Sequence, residues 1–98
     1  MSRTHHLKTW PEPFQAVLDG RKRHEMRVDD RGFGVGYTLE LDEWDPDRTR
    51  VVESDISVQG VTNYTGRKII ADVTYITYGS SFGLPANLCV MSIMVRRG

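Results

Sequence analysis

Gly20-Arg21-Lys22-Arg23-His24-Glu25-Met26-Arg27-Val28, running on through Asp29-Asp30-Arg31, is the stretch on which the reading of this chain turns. Its glycine ends an apolar helical pattern and its far end enters a glycine-rich turn. Four cations, one carboxylate and one histidine fall within residues 20 to 27. With His24 to Val28 extended, side chains alternate, which sets His24, Met26 and Val28 on one face and Glu25 and Arg27 on the other. Lys22, in the turn before the strand, reaches the side of Glu25 and Arg27. An acid held between two cations on one face is a candidate site for a polar or anionic ligand. The competing reading is a solvated strand face with local ion pairs worth about 0 to 1 kcal/mol each.

Upstream of this stretch, His5 to Lys8 reads as an edge or opening strand. Proline is tolerated in a first helical turn because that N–H has no helical partner, and Phe14, Val17 and Leu18 then recur at i, i+3 and i+4. Pro11 to Asp19 is therefore expected to be a short amphipathic helix, capped by Gly20 in a left-handed conformation. It would lie across one opening of a sheet or barrel and deliver the chain to Lys22.

Downstream, Gly32, Gly34 and Gly36 have the alternation of a phosphate loop but lead into another strand rather than a helix, so they serve an irregular turn. Tyr37 to Trp44 alternates Leu39 and Leu41 with Glu40 and Asp42, the pattern of a half-buried strand. Asp45-Pro46-Asp47 breaks it. Residues 48–61 read as a loop insertion, with Val51-Val52 and the alternating Ile56 and Val58 fitting either a small hairpin or a mobile excursion. Tyr64-Thr65-Gly66-Arg67 carries turn chemistry, Lys68 to Tyr78 is the longest β-rich run, Gly79 to Pro85 is a loop, and Leu88 to Val95 is an apolar strand expected to be buried on both faces. One helix with about five strands gives a mainly β, α+β chain folded as a small barrel.

Ninety-eight residues suffice for one domain with its own core. The lone Cys89 sits in an apolar run, which points to a reducing, cytoplasmic setting and a core role for the thiol. No apolar run is long enough for a membrane span, and the start of the chain lacks the apolar core of a signal peptide. Net charge is zero, against 13 basic and 13 acidic residues, which disfavours bulk electrostatic gripping of long nucleic acid. Seven of the acidic residues lie between 37 and 60, leaving the flanks basic.

As a series, His6-Leu7-Lys8, Pro11 to Phe14, Ala16-Val17-Leu18, Gly20-x-Lys22-x-x-Glu25-x-Arg27, Asp30-Arg31, Val35-Gly36 and Tyr64 to Arg67 resemble the ASCH family of the PUA-like superfamily, and within it a small bacterial and phage branch of unknown function. The resemblance covers nearly the whole chain except about a dozen residues after Arg48. It implies a PUA-like β-barrel with a cleft beside the helix, lined by Lys22, Glu25 and Arg27, and a role in binding RNA or handling modified nucleosides. Some relatives are amidohydrolases acting on an acylated cytidine, but Glu25 stands where their hydroxyl nucleophile is expected. Asp72 is the only acid after residue 55 and lies inside a strand, so it does not supply the acid those enzymes use downstream. Gly36-Tyr37 also replaces the usual Gly-Asp.

Three function classes follow. The first is a module for single-stranded RNA or a nucleotide, with Lys8, Lys22, Arg27, Asp30 and Arg31 lining the site beside Glu25, and with Trp10, Tyr64 or Tyr78 offering a stacking face. The second is a small hydrolase with Lys22 as general base and Glu25 orienting a water. Its two roles conflict, because a carboxylate beside the lysine favours the ammonium. The third is a phage-type accessory protein that contacts a protein partner through the acidic segment 40–55. Adjacent His5 and His6 point to opposite faces of a strand, and with His24 they complete no zinc spacing, so no metal and no cofactor is expected. Arg96-Arg97 reads as a solvated terminus.

Overall fold

The computed structural model describes residues 3–48 and 63–97. The insertion expected at 48–61 lies almost wholly outside them, as does most of the acidic stretch beyond Arg48. Among the described residues, five strands and one helix follow in the order β1 (Thr4–Thr9), α1 (Pro11–Leu18), β2 (His24–Val28), β3 (Thr38–Trp44), β4 (Tyr64–Tyr78) and β5 (Leu88–Val95), with one 3₁₀ turn at Ser81–Gly83. The strands form one sheet ordered β1-β3-β4-β5-β2, curled into a half-barrel. The mainly β, α+β architecture expected from the sequence is thus what the chain adopts.

Strand β1 pairs parallel with β3 from Thr4↔Thr38 to Thr9↔Glu43, and the remaining neighbours are antiparallel. The sheet begins at β1 and ends at β2, and α1 is the connection between these two edge strands. Phe14 and Val17, one helical turn apart, are fully buried against the concave face, where Leu7, Leu39, Leu41, Ala71 and Met91 converge. Cys89 lies in the same core, and burial pushes its thiol up from the usual range. The helix starts at Pro11 after an extended Trp10 and ends where Gly20 turns left-handed at φ 81°.

Two local expectations are corrected. Tyr64 to Arg67 is no turn: these residues open β4, and the register shift opposite Asp42 and Trp44, with Gly66 at φ 91°, accommodates the turn-type residues as a bulge. Strand β5 is buried on one face only. Cys89, Met91 and Ile93 point inward while Ser92 and Met94 are exposed, because α1 covers just the concave side. Arg96 and Arg97 are exposed, as a solvated terminus would be, and they also hold hydrogen bonds. Arg96 forks onto both Asp72 oxygens at 2.6 and 2.9 Å and also donates to Thr38, and Arg97 donates to the Leu18 carbonyl at the end of α1.

The solvated-face reading of β2 is also overturned. Glu25 is 3% exposed, whereas Met26 and Val28 on the opposite face are about half exposed. The charged face of β2 looks into the half-barrel, and its apolar face looks out. The physical reason is the seam. Among the described residues β2 has no strand on its free edge, so polar side chains on its inner face meet the free edge of β1 and the end of α1.

Candidate functional site

Two arginines cross that seam. Arg27 Nη2 donates to the Lys8 carbonyl at 3.0 Å and approaches Thr9 Oγ1 at 3.4 Å, while Arg31 Nη1 donates to the His6 carbonyl at 2.7 Å. Carbonyls at the free edge of β1, which a sixth strand would otherwise satisfy, are met by guanidinium groups from the chain around β2.

Glu25 is the centre of the arrangement. Its Oε1 accepts from Lys22 Nζ at 3.0 Å and its Oε2 from Arg27 Nε at 3.0 Å. Lys22 Nζ also donates to the His24 carbonyl. Lys22 reaches this position because the amides of Arg21 and Lys22 both bond back to the Ala16 carbonyl, folding the turn after Gly20 against the helix end. Around this triad opens a cleft of about 270 Å³, lined by Lys8, Thr9, Trp10, Pro13, Lys22, Glu25, Met26 and Arg27. Lys22 and Arg27 face one carboxylate there, and Lys8 lines the cleft from β1 with its ammonium on the Trp44 ring. The Trp10 indole stands 55% exposed at the rim, 6.1 Å from the Trp44 ring, and Lys8 Nζ lies 4.2 Å above Trp44.

Of the residues expected to bind a ligand, Lys8, Trp10, Lys22, Glu25 and Arg27 are therefore brought to one cleft. Arg31 and Asp30 line a second hollow of about 380 Å³, which Arg27 separates from the first. Tyr64 is placed elsewhere, on the convex side, in a hollow of about 300 Å³ with His6, Glu40, Asp42, Arg67 and Lys68. Tyr78 lies at the far end of β4, opposite Cys89. Thr9 and Trp44 were not singled out from sequence. Thr9 carries no motif, while Trp44 is one of two tryptophans and was readable as a partner for the other.

Arg67, whose neighbours in sequence looked like turn, holds a second buried acid. It donates to Glu43 through Nε at 2.9 Å and Nη2 at 3.1 Å, reaches Gln15 of α1, and lies 4.9 Å from the Phe14 ring centre. Thr65 Oγ1 adds a third hydrogen bond to Glu43. The Arg67 hydrogen bonds hold the Glu43 carboxyl below its usual range against the opposing effect of burial. On the convex face, burial and then the neighbouring Glu40 raise the Asp42 carboxyl, while the hydrogen bond from Asp42 lowers Glu40. Strand pairing sets His6 beside Glu40, with Nδ1 2.9 Å from Oε2, a grouping that the linear spacing of the histidines could not reveal. Among the described residues no helix is long and apolar enough to cross a membrane.

Comparison with known proteins relates the chain to a family and to a phage protein. A family model described as "Domain of unknown function (DUF3850)" matches residues 4–93. The chain is also 39% identical over 77 residues to an uncharacterised 12.9 kDa protein in the GpA 3′ region of Escherichia phage P2. That alignment covers 79% of this chain and 57% of the phage protein, so the chain spans little more than half the length of that relative.

Proposed function

The chain belongs to the DUF3850 family, a domain of unknown function, and from that premise we propose that it is an RNA- or nucleotide-binding module of PUA-like, ASCH type. The observation that carries this reading is the cleft at the β1–β2 seam, where a buried glutamate fixes Lys22 and Arg27 beside Lys8 and an exposed indole. Lys8 and Lys22 supply charge for a phosphate, and Trp10 offers a flat face for an unpaired base. Glu25 holds the cations in place and offers an acceptor for a base edge or ribose hydroxyl. The likeness of the Gly20 to Arg27 element to the ASCH pattern supports the same cleft.

The hydrolase reading has less support. Both Glu25 oxygens are occupied by cations, and Lys22 would have to surrender its bonds to Glu25 and the His24 carbonyl before it could accept a proton. Of the acidic segment invoked for a protein partner, Glu43 is buried under Arg67 and Glu40 is engaged with His6, which takes two of the five acids in its described part out of a contact surface.

Fluorescence anisotropy with short single-stranded RNA, short DNA and nucleotides at two salt concentrations tests the proposal. Two phosphate contacts on a single strand give a slope of about −1.4 in log K against log salt, and Lys22→Ala should flatten it by about 0.7. Trp10→Ala should weaken binding by about 1 to 3 kcal/mol. Binding that is absent at both salts, or equal in Lys22→Ala and the parent, would refute it.

A further inference from the structure

We propose that His6, Glu40 and Asp42 form a binding site for a divalent first-row transition metal on the convex face of the sheet, separate from the cleft at the seam. The argument starts from register. Parallel pairing of β1 with β3 sets His6 beside Glu40, and the strand period of two carries Asp42 to the same face two residues on. His6 Nδ1 lies 2.9 Å from Glu40 Oε2 and 3.6 Å from Asp42 Oδ2, and one donor atom from each residue falls within 4.8 Å of the others. Donor atoms bound to one ion at about 2.0 to 2.2 Å stand roughly 3 to 3.6 Å apart, so only small side-chain shifts are needed to close the set on an ion.

The cluster differs from a chance gathering of acids in two respects. One of its donors is an imidazole, brought from a different strand. Moreover, although the Asp42 side chain is 20% exposed, its Oδ1 atom is buried with no donor facing it, a position that a cation would complete. Lys68 Nζ, 3.4 Å from Glu40 Oε2, supplies part of the missing positive charge, but its side chain is more than half exposed and free to swing away. Beside the three donors opens the hollow of about 300 Å³, with Arg67 and Lys68 on its wall. Three protein ligands with an open side are the arrangement that leaves a coordination position for water or for an anionic group. One imidazole and two carboxylates suit zinc or manganese better than magnesium or calcium, which take all-oxygen sets.

Isothermal titration of the full chain with Zn²⁺, repeated with Mn²⁺ and Mg²⁺, tests the site, alongside His6→Gln, Asp42→Asn and His24→Gln. The expected result is one Zn²⁺ per chain, weakened roughly tenfold or more in His6→Gln and in Asp42→Asn and unchanged in His24→Gln. A melting temperature raised by Zn²⁺ in the parent, with that gain lost in Asp42→Asn, gives the same answer without calorimetry. Asp42→Asn removes one of two adjacent carboxylates, so its metal-free form should melt no lower than the parent. Absence of stoichiometric binding, or equal binding in the parent and His6→Gln, overturns the proposal. None of these outcomes bears on RNA binding at the seam.

Discussion

Replacing Glu25 by Gln changes a charge at the seam without changing its shape. The carboxylate accepts from Lys22 and Arg27 at 3.0 Å each, and its side chain is 4% exposed. Gln can keep one acceptor oxygen, but its amide then faces the other cation donor to donor. Hydrogen bonds to charged groups contribute about 1.5 to 3 kcal/mol each, and removing one partner of a buried ion pair costs about 3 to 5 kcal/mol. Here the cations left behind still reach water, at 23% and 28% exposure, which lowers the expected loss to about 2 to 3 kcal/mol. For a domain of this size that is a fall in Tm of about 10 to 20 °C. Urea unfolding of parent and variant at 0.15 M and 1 M NaCl measures it. A solvated pair would lose its contribution at high salt, whereas this one should keep most of it. A difference below about 0.5 kcal/mol, or one that disappears at 1 M NaCl, would return Glu25 to the solvated face of a surface strand and remove the basis for a preorganised cleft.

Arg67→Ala should cost about 2 to 3 kcal/mol, since it strands Glu43 in the interior and removes the link from β4 to Gln15 of α1. The same pair sets an acid limb. Because Arg67 holds the Glu43 carboxyl low in the folded state, its stabilisation is complete above the ordinary glutamate value of about 4.3 and is lost as pH falls through the depressed folded value. Unfolding measured between pH 6 and pH 3 should show a shallower acid loss in Arg67→Ala than in the parent; parallel curves would exclude the pair as its source. Gly79→Ala places a Cβ 2.3 Å from the Ala86 carbonyl oxygen and 2.5 Å from that of Pro85, both backbone atoms, and should destabilise by roughly 1 to 3 kcal/mol. An unchanged Tm would mean that the loop after β4 shifts freely.

The chain's local pattern was sufficient for the helix and for the strands apart from the start of β4, where Tyr64 to Arg67 read as a turn. Proline at the start, Phe14, Val17 and Leu18 at helical spacing, and glycine at the end define α1. Alternation defines β2 and β3, and dense β-branched residues define β4 and β5. It also grouped Glu25 and Arg27 on one face, because the pleat of a strand leaves no other choice, and let Lys22 reach that side from the turn. Which face turns inward was decided elsewhere. A pleat makes two sides but does not choose between them. The choice for β2 came from α1 covering the concave side of the sheet and from the free edge of β1 standing opposite, with carbonyls that Arg27 and Arg31 satisfy. The same holds for β5, whose apolar residues occupy both faces in sequence although only one faces α1. His6, Glu40 and Asp42 meet for a third reason. Their pairing is a register between strands 34 residues apart, set by the closing of the sheet rather than by any spacing along the chain.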